Sequence, residues 1–361
     1  MSNDFEINAS VFHRMNKLKE QDGYQTKSWN AWFEYIFPPP TNLSQQGKIE
    51  SIAKGVFYET VYDLWIQNFA SNLHNIWKEH SAKKLSPSKT IENRNSAIVI
   101  GRGPSIKKYD HLKLLGESNF SGSIVCSDGA LINVLKSGIT PDKFPKFYVV
   151  TIDVEKVQRD LYDHKLVDEF GNKISGIFST LADPGTAQRA REANIQLHWL
   201  HPLLDLNEGK KSLNYIMAQM VRKNKNIGLP GLQTGGNVGT SSWFISWQIL
   251  KCNVVGLIGI NHGWEEDTPI DFILSHGNNN PLQDIDQNSQ KFKRLFPKIY
   301  NPDFNCHCIL DPLFQYYSNA LKEFIKRSPQ WLTTINATEG GCIFGDRIVS
   351  MKFQDFLVSY S

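Results

Sequence analysis

Four short segments of the chain carry residue types suited to holding a phosphorylated ligand. Gly101-Arg102-Gly103-Pro104-Ser105 breaks off directly after the apolar run Ala97–Ile100. Gly101 and Gly103 permit positive φ and close backbone approach, Ser105 brings a hydroxyl, Arg102 a charge, and Pro104 fixes the exit while removing one donor. Exposed amides in such a turn can cradle a phosphate; a tight strand-to-helix turn uses the same residues for geometry alone. The turn is neither G-x-G-x-x-G nor a Walker loop. Ser127-Asp128-Gly129 follows a second apolar run, and there Asp128 can cap a helix, bind a ribose hydroxyl or ligate a metal. Asp153 ends a third run, a position open to a ligand contact. The fourth segment, Thr234-Gly235-Gly236-Asn237-Val238-Gly239-Thr240, joins flexible backbone, amides and hydroxyls ahead of an apolar stretch, the composition of an anion-binding helix N-terminus.

Two histidines stand near these segments. His262 follows the run Val254–Ile260 and His276 sits in the polar stretch Ser275-His276-Gly277-Asn278. Either can act as a general base near pH 7, and either can be an ordinary solvated histidine. His276 is the preferred base, because its segment can close over a site as a loop. Cys306-His307-Cys308 lacks a second paired cluster and reads as a strand or loop with free thiols rather than a metal site. The five scattered cysteines (Cys126, Cys252, Cys306, Cys308, Cys342) suit a reducing compartment, hence a cytoplasmic location.

The elements that must position these residues are legible in the alternation after residue 95. Short β-branched runs (97–100, 123–126, 147–152, 176–180, 195–200, 254–260) alternate with helical stretches such as 129–136 and 239–250. That pattern predicts βαβ units and a mostly parallel sheet with helices on both faces, an α/β fold. Residues 1–94 read as an aromatic-rich helical N-terminal region, its tail from Ser81 to Asn95 as a linker. Residues 95–285 read as the nucleotide-binding domain and 286–361 as a helical C-terminal extension. In 361 residues, 40% are hydrophobic and 21% charged, ample for a core. The net charge of +3 does not mark a nucleic-acid binder. No apolar run reaches the length of a transmembrane helix, and MSNDFEINAS lacks the regions of a signal peptide.

In order, "VIGRGPSI", "CSDGAL", "SGITPD", "TIDVE", "QTGGNVGTSSW" and "LIGINHGW" resemble the domain shared by archaeal 6-hydroxymethyl-dihydropterin diphosphokinases and the motility-associated-factor (Maf) glycosyltransferases. The resemblance covers roughly residues 95–280, and "INATEGGCIFG" (335–345) resembles a segment of the Maf side. The 101–105 turn also resembles the Gly-Asn-Gly-Pro-Ser turn of bacterial sialyltransferases that use CMP-sugars. The resemblance implies a Rossmann-like fold and a nucleotide-dependent transferase. On the diphosphokinase branch, ATP and Mg²⁺ are expected, with aspartates at the glycine-rich helix and after the last strand. Here Gly239–Trp243 holds no acidic residue, and Asn261 stands where aspartate is common, which leaves Asp128 and Asp153 as the Mg²⁺ candidates.

The expectation is therefore a glycosyltransferase taking a nucleotide-activated sugar, of the CMP-nonulosonic (sialic acid) type, with a protein or glycan acceptor. It needs no cofactor or metal if helix N-termini and hydroxyls stabilise the leaving phosphate. Gly101, Gly103, Pro104, Ser105, Ser127, Asp128, Asp153, Thr234, Gly235, Gly236, Asn237, Gly239 and Thr240 form the expected nucleotide site, with His276 and His262 as candidate bases. Pyrophosphoryl transfer from ATP is the alternative, and a non-catalytic nucleotide-binding protein the third reading.

Overall fold

Ile98 and Ile100 face one side of their strand and Ala97 and Val99 the other, and all four are fully buried. A strand buried on both faces belongs inside a parallel sheet covered twice. The computed structural model describes residues 62–87, 95–203, 213–222, 228–274 and 286–360. Among them β1 (His80–Ser81), β2 (Ser96–Ile100), β3 (Ser123–Ser127), β4 (Phe147–Thr151), β5 (Ser175–Ser179), β6 (Gln196–Pro202), β7 (Gly231–Leu232) and β8 (Val254–Ile258) enter one sheet. A smaller antiparallel sheet holds β9 (Trp264–Glu265), β10 (Lys298–Asn301) and β11 (Cys306–Ile309). Two later strands, β12 (Thr333–Asn336) and β13 (Ile348–Ser350), return to the main sheet.

Among the described residues the main sheet has ten strands in the order β1-β6-β5-β4-β3-β2-β8-β12-β13, with β7 on β6. Every pairing in it is parallel. One face packs on helices α1 (Tyr62–Lys78), α2 (Ser105–Lys108), α3 (His111–Glu117), α4 (Asp128–Lys136) and α5 (Pro184–Glu192), contributing Phe69, Ile106, Leu115, Leu131 and Ala187. The other face packs on α6 (Val238–Phe244) and α7 (Pro312–Arg327) through Trp243 and Leu321. The last helix, α8 (Phe353–Tyr360), returns to the first face through Phe353 and Phe356. The fold is thus the α/β, mostly parallel, Rossmann-like architecture that the alternation predicts.

Three details differ from the sequence reading. The C-terminal region is not a helical extension: β12 pairs with β8 and β13 with β12, so it completes the sheet. Four polar-flanked residues, Thr333–Asn336, become a strand because the exposed edge of β8 offers a full row of backbone partners. The stretch read as a linker begins with Ser81 in β1 and a 3₁₀ turn over Ala82–Leu85. The helix expected over 239–250 starts at Val238 and widens into a π-helical turn over Ile245–Ile249. The aromatics before residue 62 lie outside the described residues. No helix among the described residues is long and apolar enough to cross a membrane.

Strand order reverses at β2. From it the chain proceeds outward through β3, β4, β5 and β6, then returns to the other side of β2 for β8, β12 and β13. Register aligns Ile100 with Cys126 and with Ile258, and Ser127 with Val150. The chain therefore leaves β2, β3, β4 and β8 along one carboxyl edge. In open parallel sheets, ligands bind at this edge, at the switch point.

Candidate active site at the switch point

The β2 turn is locked to the end of β8. Gly101 N–H donates to Ile258 O at 2.9 Å, and Gly103 N–H donates to Gly259 O at 2.9 Å. A Cβ on Gly101 would lie 2.3 Å from Gly259 O, and one on Gly103 would lie 2.2 Å from Asn261 Oδ1. These glycines exist to let two backbones touch. Ser105 is fully buried and donates to Asn261 Oδ1 at 3.0 Å. Pro104 opens α2, its carbonyl accepting from Lys107 and Lys108 N–H. The amides of Gly101 and Gly103 and the Ser105 hydroxyl are thus engaged within the protein. The cradle expected of them is a brace between strands.

The groups left to face a ligand stand on the β3–β4 side. Ser127 is the N-cap of α4 but makes no side-chain cap bond, and Asp128 is the first helical residue, not the cap. Asp128 Oδ1 accepts from Gly129 N–H at 2.8 Å, while Oδ2 is buried with no hydrogen-bond partner. The Asp128 carboxyl is pushed up to about 7 by burial and then by the charge of Asp153, against the pull of the Gly129 amide, Thr151 and Arg102. Asp153, just past β4, is exposed at the carboxyl edge of the sheet. The chain crowded around it and the Glu155 charge raise its proton affinity, and Arg102 lowers it. Arg102 is exposed and lies along the start of α4, where a Cβ on Gly129 would meet its Cδ at 2.9 Å.

The glycine-rich turn reaches the same edge. Gly235 and Gly236 adopt φ of 56° and 82°, the left-handed region open to glycine. Asn237 caps α6, accepting from Thr240 N–H at 2.8 Å and donating to the Thr240 hydroxyl at 3.0 Å. Thr234 holds the turn from the other end, taking Gly236 N–H on its hydroxyl and Asn237 N–H on its carbonyl. Ile260 Cδ1 sits between the two turns: it lies 2.5 Å from where a Gly101 Cβ would be and 2.8 Å from one on Gly239. Gly236 also abuts the ring of Tyr317 on α7, which leaves no room for a side chain. Burial, then the charges of Asp153 and Asp311, push the Tyr317 hydroxyl up, so it stays a donor. His262 packs against Tyr317 with ring centroids 6.0 Å apart. It is buried, its Nδ1 has no partner, and its pKa falls to about 3 through burial and the nearby Lys322 charge.

The family model described as 6-hydroxymethylpterin diphosphokinase MptE-like matches residues 67–267, more than half of the chain. The chain belongs to the MptE-like family. Among solved structures, it is similar to the Maf glycosyltransferase from Magnetospirillum magneticum AMB-1, with 17% identity and a TM-score of 0.49. That likeness covers 78% of this chain and 39% of the other, so the chain spans well under half of that protein's length. No curated protein matches the chain.

Within this MptE-like chain, the structure brings Gly101, Gly103, Pro104, Ser105, Ser127, Asp128, Asp153, Thr234, Gly235, Gly236, Asn237, Gly239, Thr240 and His262 to one edge. It divides them by role. The two glycine-rich turns brace the edge, while Asp128 is buried behind it and Asp153 is exposed on it. His276 lies outside the described residues. Asn261 and Tyr317 complete the edge without having been among the expected site residues, beside Arg102, which the sequence reading expected to add charge. Arg102 and Asn261 flank strand ends already singled out; Tyr317 arrives from α7 and leaves no trace in local sequence. Cys306-His307-Cys308 is strand β11, and no group of three or more His, Cys, Asp or Glu among the described residues could hold a metal.

Proposed function

We propose that the chain is a nucleotide-dependent glycosyltransferase that moves a sugar from a nucleotide donor to a hydroxyl acceptor at the edge of β2, β3 and β4. The donor class that the sialyltransferase-like turn implies is a CMP-nonulosonic acid. The observation that carries the reading is Asp128: a buried carboxylate with a free oxygen and a proton affinity poised near neutrality, at the place where an open sheet binds ligands. A base works best when its pKa lies near the working pH. The acceptor oxygen forms a bond to the anomeric carbon as the bond from that carbon to the donor phosphate breaks. The electron pair leaves on the phosphate, which Arg102 can neutralise, and the acceptor proton passes to Asp128 Oδ2. His262, with a pKa near 3, is a poor proton acceptor and instead packs Tyr317 in place.

The carboxylate pair also favours a second reading, pyrophosphoryl transfer from ATP. Mg²⁺ takes one or two carboxylates together with substrate phosphates. The orphaned Oδ2 of Asp128 and the carboxylate of Asp153 fit that donor set and are the residues that would hold the ion. Bound there, it would neutralise a polyphosphate. Thermal melts with CMP, UDP, GDP and ATP, each with and without Mg²⁺, separate the readings, because a ligand that binds the folded state raises its melting temperature. A shift with CMP that ignores Mg²⁺ supports glycosyl transfer; a Mg²⁺-dependent shift with ATP alone supports the second reading. No shift with any nucleotide defeats both.

A further inference from the structure

A cavity of about 420 Å³ opens on the other side of the β2 turn. It lies past the carboxyl ends of β2, β8 and β12, and β9 and β11 of the small sheet wall it. Its volume falls in the range of small-molecule sites. Two aromatic side chains, Tyr109 and Trp264, stand among four carboxylates, Glu265, Glu266, Asp267 and Glu339. Three carboxylates are held in place by cations or histidines: Glu265 by Lys108 at 3.0 Å, Glu266 by Lys298 and by His307 at 3.4 Å, Glu339 by His111 at 3.3 Å. Asp267 has no ion pair among the described residues. Asn261 is the common wall: its side chain braces Ser105 at the switch point and it also lines this cavity.

We propose that this cavity is a sugar-binding subsite, and that it takes a neutral or amino-bearing sugar rather than an acidic one. The proposal does not rest on the glycosyltransferase reading. The carboxylates accept from ring hydroxyls, and an ammonium group gains from the same carboxylates. Tyr109, stacked on His111, and Trp264, packed on Phe272 and Phe314, bring apolar surface to the lining beside the carboxylates. The lining carries more negative than positive charge, so an acidic sugar meets like charge.

The test is titration of the full chain, without nucleotide, with methyl β-glucoside, glucosamine and glucuronate, followed by tryptophan fluorescence and saturation-transfer NMR. Binding of glucosamine or the methyl glucoside is expected, with glucuronate weaker by about tenfold or more from like-charge repulsion. Asp267→Asn and Glu265→Gln are expected to weaken the bound sugar by roughly threefold to tenfold, because each removes a charged acceptor, while melting temperature and nucleotide titration stay as in the wild type. The proposal is overturned if no sugar binds, if glucuronate binds as well as the others, if both variants bind normally, or if a Ser/Thr peptide displaces the sugar. Nucleotide binding without sugar binding sinks this proposal alone. Sugar binding without nucleotide binding leaves the site standing and sinks the transferase reading.

Discussion

The two sides of the β2 turn keep their carboxylates in opposite ways. On the β3–β4 side, Asp128 is buried, half unsatisfied and pushed up to about 7. On the β8–β12 side, Glu265, Glu266 and Glu339 each have a Lys or His partner. Burial without a partner costs stability and stores proton affinity, which suits a group that must accept a proton. Pairing near solvent costs little and keeps the groups charged, which suits recognition. One edge of one sheet thus carries a reactive half and a receptive half, divided by backbone.

The largest expected effect is on the reactive half. Asp128→Asn removes the proton acceptor, and turnover should fall by about a hundredfold to ten-thousandfold while donor affinity changes only a few-fold. His262→Asn is the contrast. Its φ of 42° is one that asparagine tolerates, and a base with a pKa near 3 contributes little at pH 7. Turnover within about threefold of wild type is expected, since the change removes no charge-assisted step. Single-turnover rates with the donor identified by melting check both. An inactive His262→Asn beside an active Asp128→Asn would reverse the assignment.

Next comes the divide itself. A valine at Gly103 would put Cβ 2.2 Å from Asn261 Oδ1 and 2.7 Å from Gly259 O, where backbone cannot yield. Gly103→Val should destabilise by about 3 kcal/mol, the upper end of overpacking, and lose nucleotide binding by distorting the brace rather than by blocking a phosphate. Gly340→Ala is the mild control, its nearest neighbour being Cys306 Sγ at 3.8 Å; it should stay within about 0.5 kcal/mol. Urea melts measure both. A Gly103→Val protein as stable as wild type would show that the two halves are not braced through Asn261.

These outcomes mark how much was legible in the sequence. The six runs from 97 to 260 are strands because β-branched residues bounded by glycine and polar turns leave few alternatives, and their carboxyl ends follow once the sheet is parallel. The use of the glycines was not legible. Gly101-Arg102-Gly103 reads the same whether its amides meet a phosphate or the backbone of β8, and β8 is distant in sequence. Asp128 reads equally as cap or ligand, because nothing local tells that Oδ2 is buried without a partner. Thr333–Asn336 is short and mostly polar, and Ile348–Ser350 is only three residues long, so neither announces a strand. The receptive half escaped notice because Glu265–Asp267 looks like a solvated loop until β10 and β11 close behind it.

The buried carboxyl and the buried histidines should also differ in how pH moves stability. The Asp128 carboxyl titrates near 7 in the folded protein and near its ordinary value of 3.8 unfolded, so the folded state holds the extra proton between them. Its contribution is fully present below about pH 4 and is lost as pH rises through 7. His262, lowered to about 3, and His198 and His201, each lowered to about 4, act in the other sense, chiefly through burial. Their contribution is full above about pH 6.5 and is lost as pH falls through that value toward their folded pKa. Asp128→Asn should therefore melt higher than wild type at pH 8, with the gain vanishing near pH 4. Melts from pH 4 to 9 check this, and parallel curves for the two proteins would mean that Asp128 ionises normally.

The smallest effect is expected on the receptive half. Lys108 and Glu265 pair at 3.0 Å with side chains 50% and 30% exposed, and the pairing raises the Lys108 pKa. At that exposure solvent and salt screen most of the attraction. Glu265→Gln keeps an oxygen that can accept from Lys108 Nζ, so it should cost less than about 0.5 kcal/mol and move the melting temperature by no more than about two degrees. The shift should shrink further in high salt. Any loss of sugar affinity in this variant then reads as lost recognition, not as unfolding. A drop of several degrees would carry a different meaning: α2, which begins at the β2 turn and ends at Lys108, would be tied down at both ends, and the receptive half would be supporting the brace that divides it from the reactive one.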